Sequence, residues 1–216
     1  MMVARWIPGV ALALACTGCG GGASAPAAGT QSEIKRRDMA SLPAIGDYLP
    51  PVDDGRLEAA PPAGWHVMRR GRTFLVGFAE GKASELPRIV IHAEDPPEGS
   101  PSALAEASAR AFAARQDQEL RAAARSGKKR VAEYNLPIVL GDTVFIRHVR
   151  QATLADAPCV IQSLQTIQNG RLYTVELIAE IEAARAEEYE KSLAQWRDYG
   201  YAVAANLRFA ATGEEK

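Results

Sequence analysis

Three histidines, His66, His92 and His148, are the first side chains to weigh for chemistry. Each falls in a stretch that reads as a strand. No pair has metal-ligand spacing, neither HExxH nor CxxC. A serine nucleophile calls for a local signature such as Gly-x-Ser-x-Gly, whose strained turn exposes the hydroxyl. Ser102, Ser108, Ser163 and Ser192 lack it. Carboxylates adjoin at Asp53-Asp54, Glu94-Asp95 and Glu187-Glu188, as they routinely do in turns and on helix surfaces. Cys159 is the single cysteine beyond residue 19, so no disulfide closes the domain, and the thiol reads as a small buried hydrophobe. The expectation is no catalytic residue, no metal and no cofactor. The densest basic cluster is Lys128-Lys129-Arg130, with Arg121 and Arg125 on the preceding helix. It fits an interaction patch for an acidic partner or anionic lipid. It also fits a solvated helix end, where cations meet the helix dipole favourably. Trp65 and Trp196 recur at periodic positions and read as core.

Cys16 and Cys19 belong to a different chemistry. One arginine, the apolar run Ile7–Ala15 and small residues around the cysteines form the n-region, h-region and cleavage site of an export leader. The run is about nine residues, and a spanning helix needs about 20. The stretch resembles a bacterial lipoprotein signal, in which cleavage precedes a cysteine that becomes diacylated. Cys19 follows Thr17-Gly18 and precedes Gly20; Cys16 follows Ala13-Leu14-Ala15 and is the alternative. An ordinary secretory signal is the other reading. Gly20–Thr30, GGGASAPAAGT, has almost nothing to bury and reads as a flexible tether. The expected map is a leader over 1–19, a tether over 20–54, one domain over 55–210 and a polar tail over 211–216. The formal net charge of −1 over 216 residues offers no field for nucleic acid, so none is expected as a partner.

Behind these residues stand the elements that must position them. Arg56–Ala60, Trp65–Arg69, Thr73–Ala79 and Arg88–Ala93 read as strands. Pro96, Pro97 and Pro101 make the following segment a loop. Ser102 is the expected N-cap of a long helix ending near Arg125, with a stripe of Leu104, Ala107, Ala111, Phe112 and Leu120. Then the period changes to two. Val131–Leu140, Thr143–Thr153, Cys159–Gln168 and Arg171–Glu180 read as strands joined by turns, and Asn169-Gly170 is a type I′ hairpin signal. Within Thr143–Thr153, Val144 and Ile146 face one way, Phe145 and Val149 the other. Glu182–Phe209 reads as a second long helix whose apolar face is Tyr189, Leu193, Trp196, Tyr199, Val203 and Leu207. Strands linked by hairpins and two helices with apolar stripes predict an α+β fold, a mostly antiparallel sheet sandwiched with two amphipathic helices.

The segments LEAAPPAGWHVMRR, TFLVGFAEG and PRIVIHAEDP, followed by a long helix, resemble the opening of the Mog1/PsbP-like superfamily, which includes bacterial lipoproteins similar to DcrB and LpqN. The Pro-x-Gly-Trp element is Pro62-Ala63-Gly64-Trp65, and the resemblance runs from about Gly55 to Phe209. It implies an antiparallel sheet between helices and members that work mostly by binding. It carries over no site residues, because the superfamily shares no active site. The expected function is a membrane-tethered, non-enzymatic binding or assembly module of the cell envelope, facing the periplasm or exterior and meeting a protein partner. The rival readings are a small-ligand carrier with a pocket between sheet and helix, and a hydrolase with an unrecognised site.

Overall fold

In the computed structural model, which describes residues 33–68, 71–82, 85–127, 130–181 and 189–210, ten strands and two α-helices follow one another, with a short 3-10 turn at Met39–Ser41. They are β1 (Lys35–Arg36), β2 (Leu57–Glu58), β3 (His66–Met68), β4 (Val76–Ala79), β5 (Arg88–Glu94), α1 (Glu106–Arg125), β6 (Arg130–Leu140), β7 (Thr143–Leu154), β8 (Ala157–Gln168), β9 (Arg171–Glu180), α2 (Tyr189–Ala205) and β10 (Arg208–Phe209). Eight strands form one sheet in the order β1-β6-β7-β8-β9-β5-β4-β3. Every pairing in it is antiparallel except β1 with β6. The fold is α+β, with a large, mostly antiparallel sheet and two long helices.

The hairpins follow from two-residue turn chemistry. Asn169 and Gly170 lie at φ 53° and 72°, the left-handed pair a type I′ turn needs. Ala155 and Asp156 join β7 to β8 in the same region, at φ 47° and 68°. Alternation then divides the side chains between the two faces of the sheet. Val144 and Ile146 pack with Phe112, Ala113, Ile167 and Leu172 under α1. Phe145 and Val149 pack with Leu164, Val175, Leu193 and Val203 under α2. Each helix thus buries its stripe on its own face of one sheet. Under α2 the sheet also buries Arg147, whose guanidinium grips Glu133 at 2.5 and 3.2 Å while its Nε donates to Gln162 Oε1.

Several expectations need correction. The tether was expected to reach residue 54, but the packed unit begins at Ile34. Ile34 is buried under α1, Lys35–Arg36 pairs with Ile138 and Val139, and the backbone of Gly46 and Leu49 donates to Pro61 and Ala59. Apolar anchors among polar neighbours hold this stretch, so its composition misleads. Ser102 does not cap α1, whose N-cap is Ala105, helped by Ser108 Oγ accepting from the Ala105 N–H. The reason is tertiary: Leu104 N–H donates to Ile167 and Gly170 N–H to Ser102, which holds the approach to the helix extended against the β8–β9 hairpin. The buried stripe of α1 is Ala109, Phe112, Ala113 and Leu120, with Ala107 and Ala111 turned to solvent. The closing helix ends at Ala205 rather than Phe209, because Arg208–Phe209 pairs with Leu57–Glu58 and the Phe209 ring packs on Tyr173 at 5.2 Å. Trp196 is half-buried, its ring edge-on to Trp65 and tilted against Tyr199, while Leu193 and Tyr201 go deeper. Residues 1–32, 128–129, 182–188 and 211–216, which hold the leader, both candidate lipidation cysteines and the polar tail, lie outside the described residues.

Candidate functional site

The C-terminal half of α1 lies along β6, and the strand beneath it is irregular. Register shifts fall between Val131 and Glu133 and between Glu133 and Leu136. Such bulges locally reverse which side chains face out. Tyr134 is 36% exposed and Leu136 56%, among the most exposed large apolar side chains of the described residues. Asp117 of α1 fastens the bulge by accepting from both the backbone N–H and the side-chain amide of Asn135, at 2.9 and 2.8 Å. Above it the Arg121 guanidinium sits 4.2 Å from the centre of the Tyr134 ring. Arg125 folds back one turn, its Nε donating to the Arg121 carbonyl. Arg121, Ala124, Arg125 and Tyr134 line an open groove of about 560 Å³.

Two planar guanidiniums, one pre-set on an aromatic face, are suited to carboxylates, which they meet with paired donors. Among the described residues neither enters an ion pair, unlike Arg36, Arg37, Arg147, Arg150, Arg171 and Arg208 and like Arg88, Arg115 and Arg197. The structure therefore brings Arg121 and Arg125 together. Lys128 and Lys129 lie outside the described residues. Arg130 opens β6 opposite Gln151, and its side chain is likewise outside them. Tyr134 was not expected at the site. Its signal was Pro137, since a proline inside a strand marks an edge or a bulge.

The side chains weighed for catalysis fall elsewhere. Glu176 on β9 accepts from Ser163 at 3.1 Å and from Arg150 at 3.1 Å, and its other oxygen lies 3.5 Å from His92 Nε2. Burial pushes this carboxyl up, but His92 and Arg150 outweigh it and hold the carboxyl at about 2. His92 is raised above its ordinary value, chiefly by Glu176 and also by its bond to the Thr73 carbonyl at 2.6 Å. Activation of a serine needs the imidazole between hydroxyl and acid. Here the acid stands between, and a carboxylate so firmly ionised is a poor base. The cluster clamps the Thr73 segment to the sheet. Cys159 is fully buried, its thiol pushed up by burial, which makes a poor nucleophile. The Asp53 side chain is buried and accepts from the Tyr173 hydroxyl at 2.9 Å and from Arg171, which also holds Asp95. His66 is exposed on β3, far in register from the other two histidines. Among the described residues no three His, Cys, Asp or Glu side chains are placed to hold a metal ion. No helix among them is long and apolar enough to cross a membrane.

No family model matches the chain, and no curated protein matches it. A crystal structure from Bacteroides thetaiotaomicron VPI-5482, solved at 1.50 Å resolution, is similar at a TM-score of 0.48 and 13% identity, covering 79% of this chain. The chain spans about half of that protein's length, 51%.

Proposed function

We propose that this chain is a binding module of the cell envelope, tethered by lipid at Cys19 or, failing that, Cys16, and that it works through the groove beside α1. The carrying observation is the Arg121–Tyr134 stack with Arg125 beside it, two cations presented without acidic partners at an outward bulge. Charge complementarity selects an acidic segment of another envelope protein as the occupant. Exposed Leu136 on the same bulged stretch supplies an apolar neighbour. Membership of the Mog1/PsbP-like superfamily is part of the proposal. Supporting it, Pro62-Ala63-Gly64-Trp65 forms the turn into β3, with Gly64 at φ 83° and Trp65 buried. The leader pattern and the small-residue run after it support export and a location facing the periplasm or exterior.

Two measurements test this. Mass spectrometry of the membrane fraction should find a diacylated N-terminal cysteine, and an intact Met1 on a cytoplasmic protein would refute the tether. A photo-crosslinking side chain placed at Leu136 should trap an envelope protein through an acidic stretch, and Arg121→Glu with Arg125→Glu should abolish the adduct. Trapping of anionic lipid instead, or an adduct indifferent to the charge reversal, refutes the protein-binding reading.

A further inference from the structure

Beneath the same helix, on its sheet-facing side, both packing layers turn polar at one level. The α1 stripe runs Ala109, Phe112, Ala113, then Leu120, and the position between, one turn from each, is Gln116. The sheet below is apolar at Val144, Ile146 and Ile167, and then presents His148 on β7 and Gln165 on β8. Asn135 completes the change on β6. Between the layers lies a cavity of about 310 Å³, lined by Gln116, Asn135, His148 and Gln165, with Leu120 as an apolar wall and Glu119 at the exposed rim. A contact meant only to pack would continue with Leu, Ile or Val, because burying polar groups costs free energy unless they find partners. Two elements far apart in sequence have given up that packing at the same place.

The hydrogen bonds show what is wanted there. Gln116 Nε2 donates to Gln165 Oε1 at 2.8 Å. The Asn135 amide nitrogen and backbone N–H both donate to Asp117, which sets the orientation of that amide. Asn135 is 6% exposed, and among the described residues neither its Oδ1 nor Gln116 Oε1 has a hydrogen-bond partner. Buried acceptors left in this state are satisfied by a donor that enters. No lysine or arginine lines the cavity, and beside the His148 imidazole its one ionisable side chain is the Glu119 carboxylate, so an anion is disfavoured. Amide and imidazole groups pair best with groups that both donate and accept, which hydroxyls do. At about 30 Å³ per water-sized unit, the cavity has room for about ten non-hydrogen atoms.

We infer that this cavity is a binding site for a small neutral polyhydroxylated molecule of monosaccharide size. The site is separate from the Arg121–Tyr134 groove and does not rest on it. The test is NMR on the whole chain, following side-chain amide signals of Gln116, Asn135 and Gln165 on addition of glucose, myo-inositol, putrescine or acetate. A neutral polyol should shift these signals at millimolar concentration, and putrescine and acetate should not. Gln165→Leu should weaken the polyol at least tenfold, and Gln116→Met, which lies on the helix and spares the sheet, serves if the first variant fails to fold. Arg121→Glu with Arg125→Glu should leave polyol binding unchanged. Shifts by putrescine alone, or by acetate alone, overturn the ligand class. Silence with every probe, or binding insensitive to both variants, overturns the site.

Discussion

Glu176 concentrates more charge chemistry than any other described side chain, and its neighbours decide its behaviour. Held at about 2 against an ordinary 4.5, it contributes stability that is complete above about pH 4.5 and lost as pH falls toward 2. Taken at about 1.4 kcal/mol per unit, that contribution is of the order of 3 kcal/mol. His92 has the opposite sign: its pKa is raised above 6.5, so its contribution is complete below 6.5 and lost as pH rises through the raised value. Thermal unfolding midpoints should therefore plateau between about pH 4.5 and 6.5 and decline on both sides. Glu176→Gln should shrink the acid decline and bring His92 back down, as read from its imidazole proton shifts. An unmoved His92 would show that the pair is not coupled. At this scale the sequence showed the residue types and little else. His92, Arg150, Ser163 and Glu176 come from four strands, and only register makes them neighbours.

The elements were more legible than the residues, and their failures share one cause. Strand and turn positions in β6 to β9 follow local pattern, because a left-handed turn and a two-residue alternation are decided by adjacent side chains. Helix ends were misjudged where a strand partner took the backbone, at Ser102 before α1 and at Arg208–Phe209 after α2. The face of α2 was read in part: Leu193, Val203 and Leu207 are buried and Tyr189, Trp196 and Tyr199 pack half-buried against the same core, while Gly200, Tyr201 and Ala204, which the stripe left out, are buried as well. At Gly200 the helix lies close on the sheet. A Cβ there would stand 3.0 Å from Gln162 Nε2 and 3.3 Å from Leu177 Cβ. Gln162 cannot swing away freely, since it donates to the Arg197 carbonyl and accepts from Arg147. Intrinsic propensity favours alanine over glycine in a helix by about 1 kcal/mol. Gly200→Ala should nonetheless destabilise the domain by about 1–3 kcal/mol through overpacking. A higher denaturation midpoint in the variant would mean that the helix–sheet contact relaxes readily.

At the scale of the molecule, the sheet is assembled from two meanders, β3-β4-β5 and β6-β7-β8-β9, with β9 brought beside β5 and α1 crossing one face. The N-terminal stretch from Ile34 closes the far side by adding β1 to β6, the only parallel pairing of the sheet among the described residues. Arg37 reaches α2, donating to Asp198 at 2.7 Å and lying over the Tyr201 ring, and the Tyr48 hydroxyl donates to the Asn206 carbonyl. A chain cut to begin at Gly55 should thus unfold at markedly lower denaturant than one beginning at Glu33. Equal midpoints would return residues 34–54 to the tether. Sequence by itself determined the α+β class, the hairpins, the two faces of Thr143–Thr153 and the positions of both long helices, since each follows from periodicity or turn chemistry over a few residues. Only the tertiary structure decided that residues 34–54 join the domain, that Tyr134 turns out beneath Arg121, and that Gln116, Asn135, His148 and Gln165 surround one cavity. Those facts depend on strand register, bulges and the height of a helix above a sheet, which are set by partners distant along the chain.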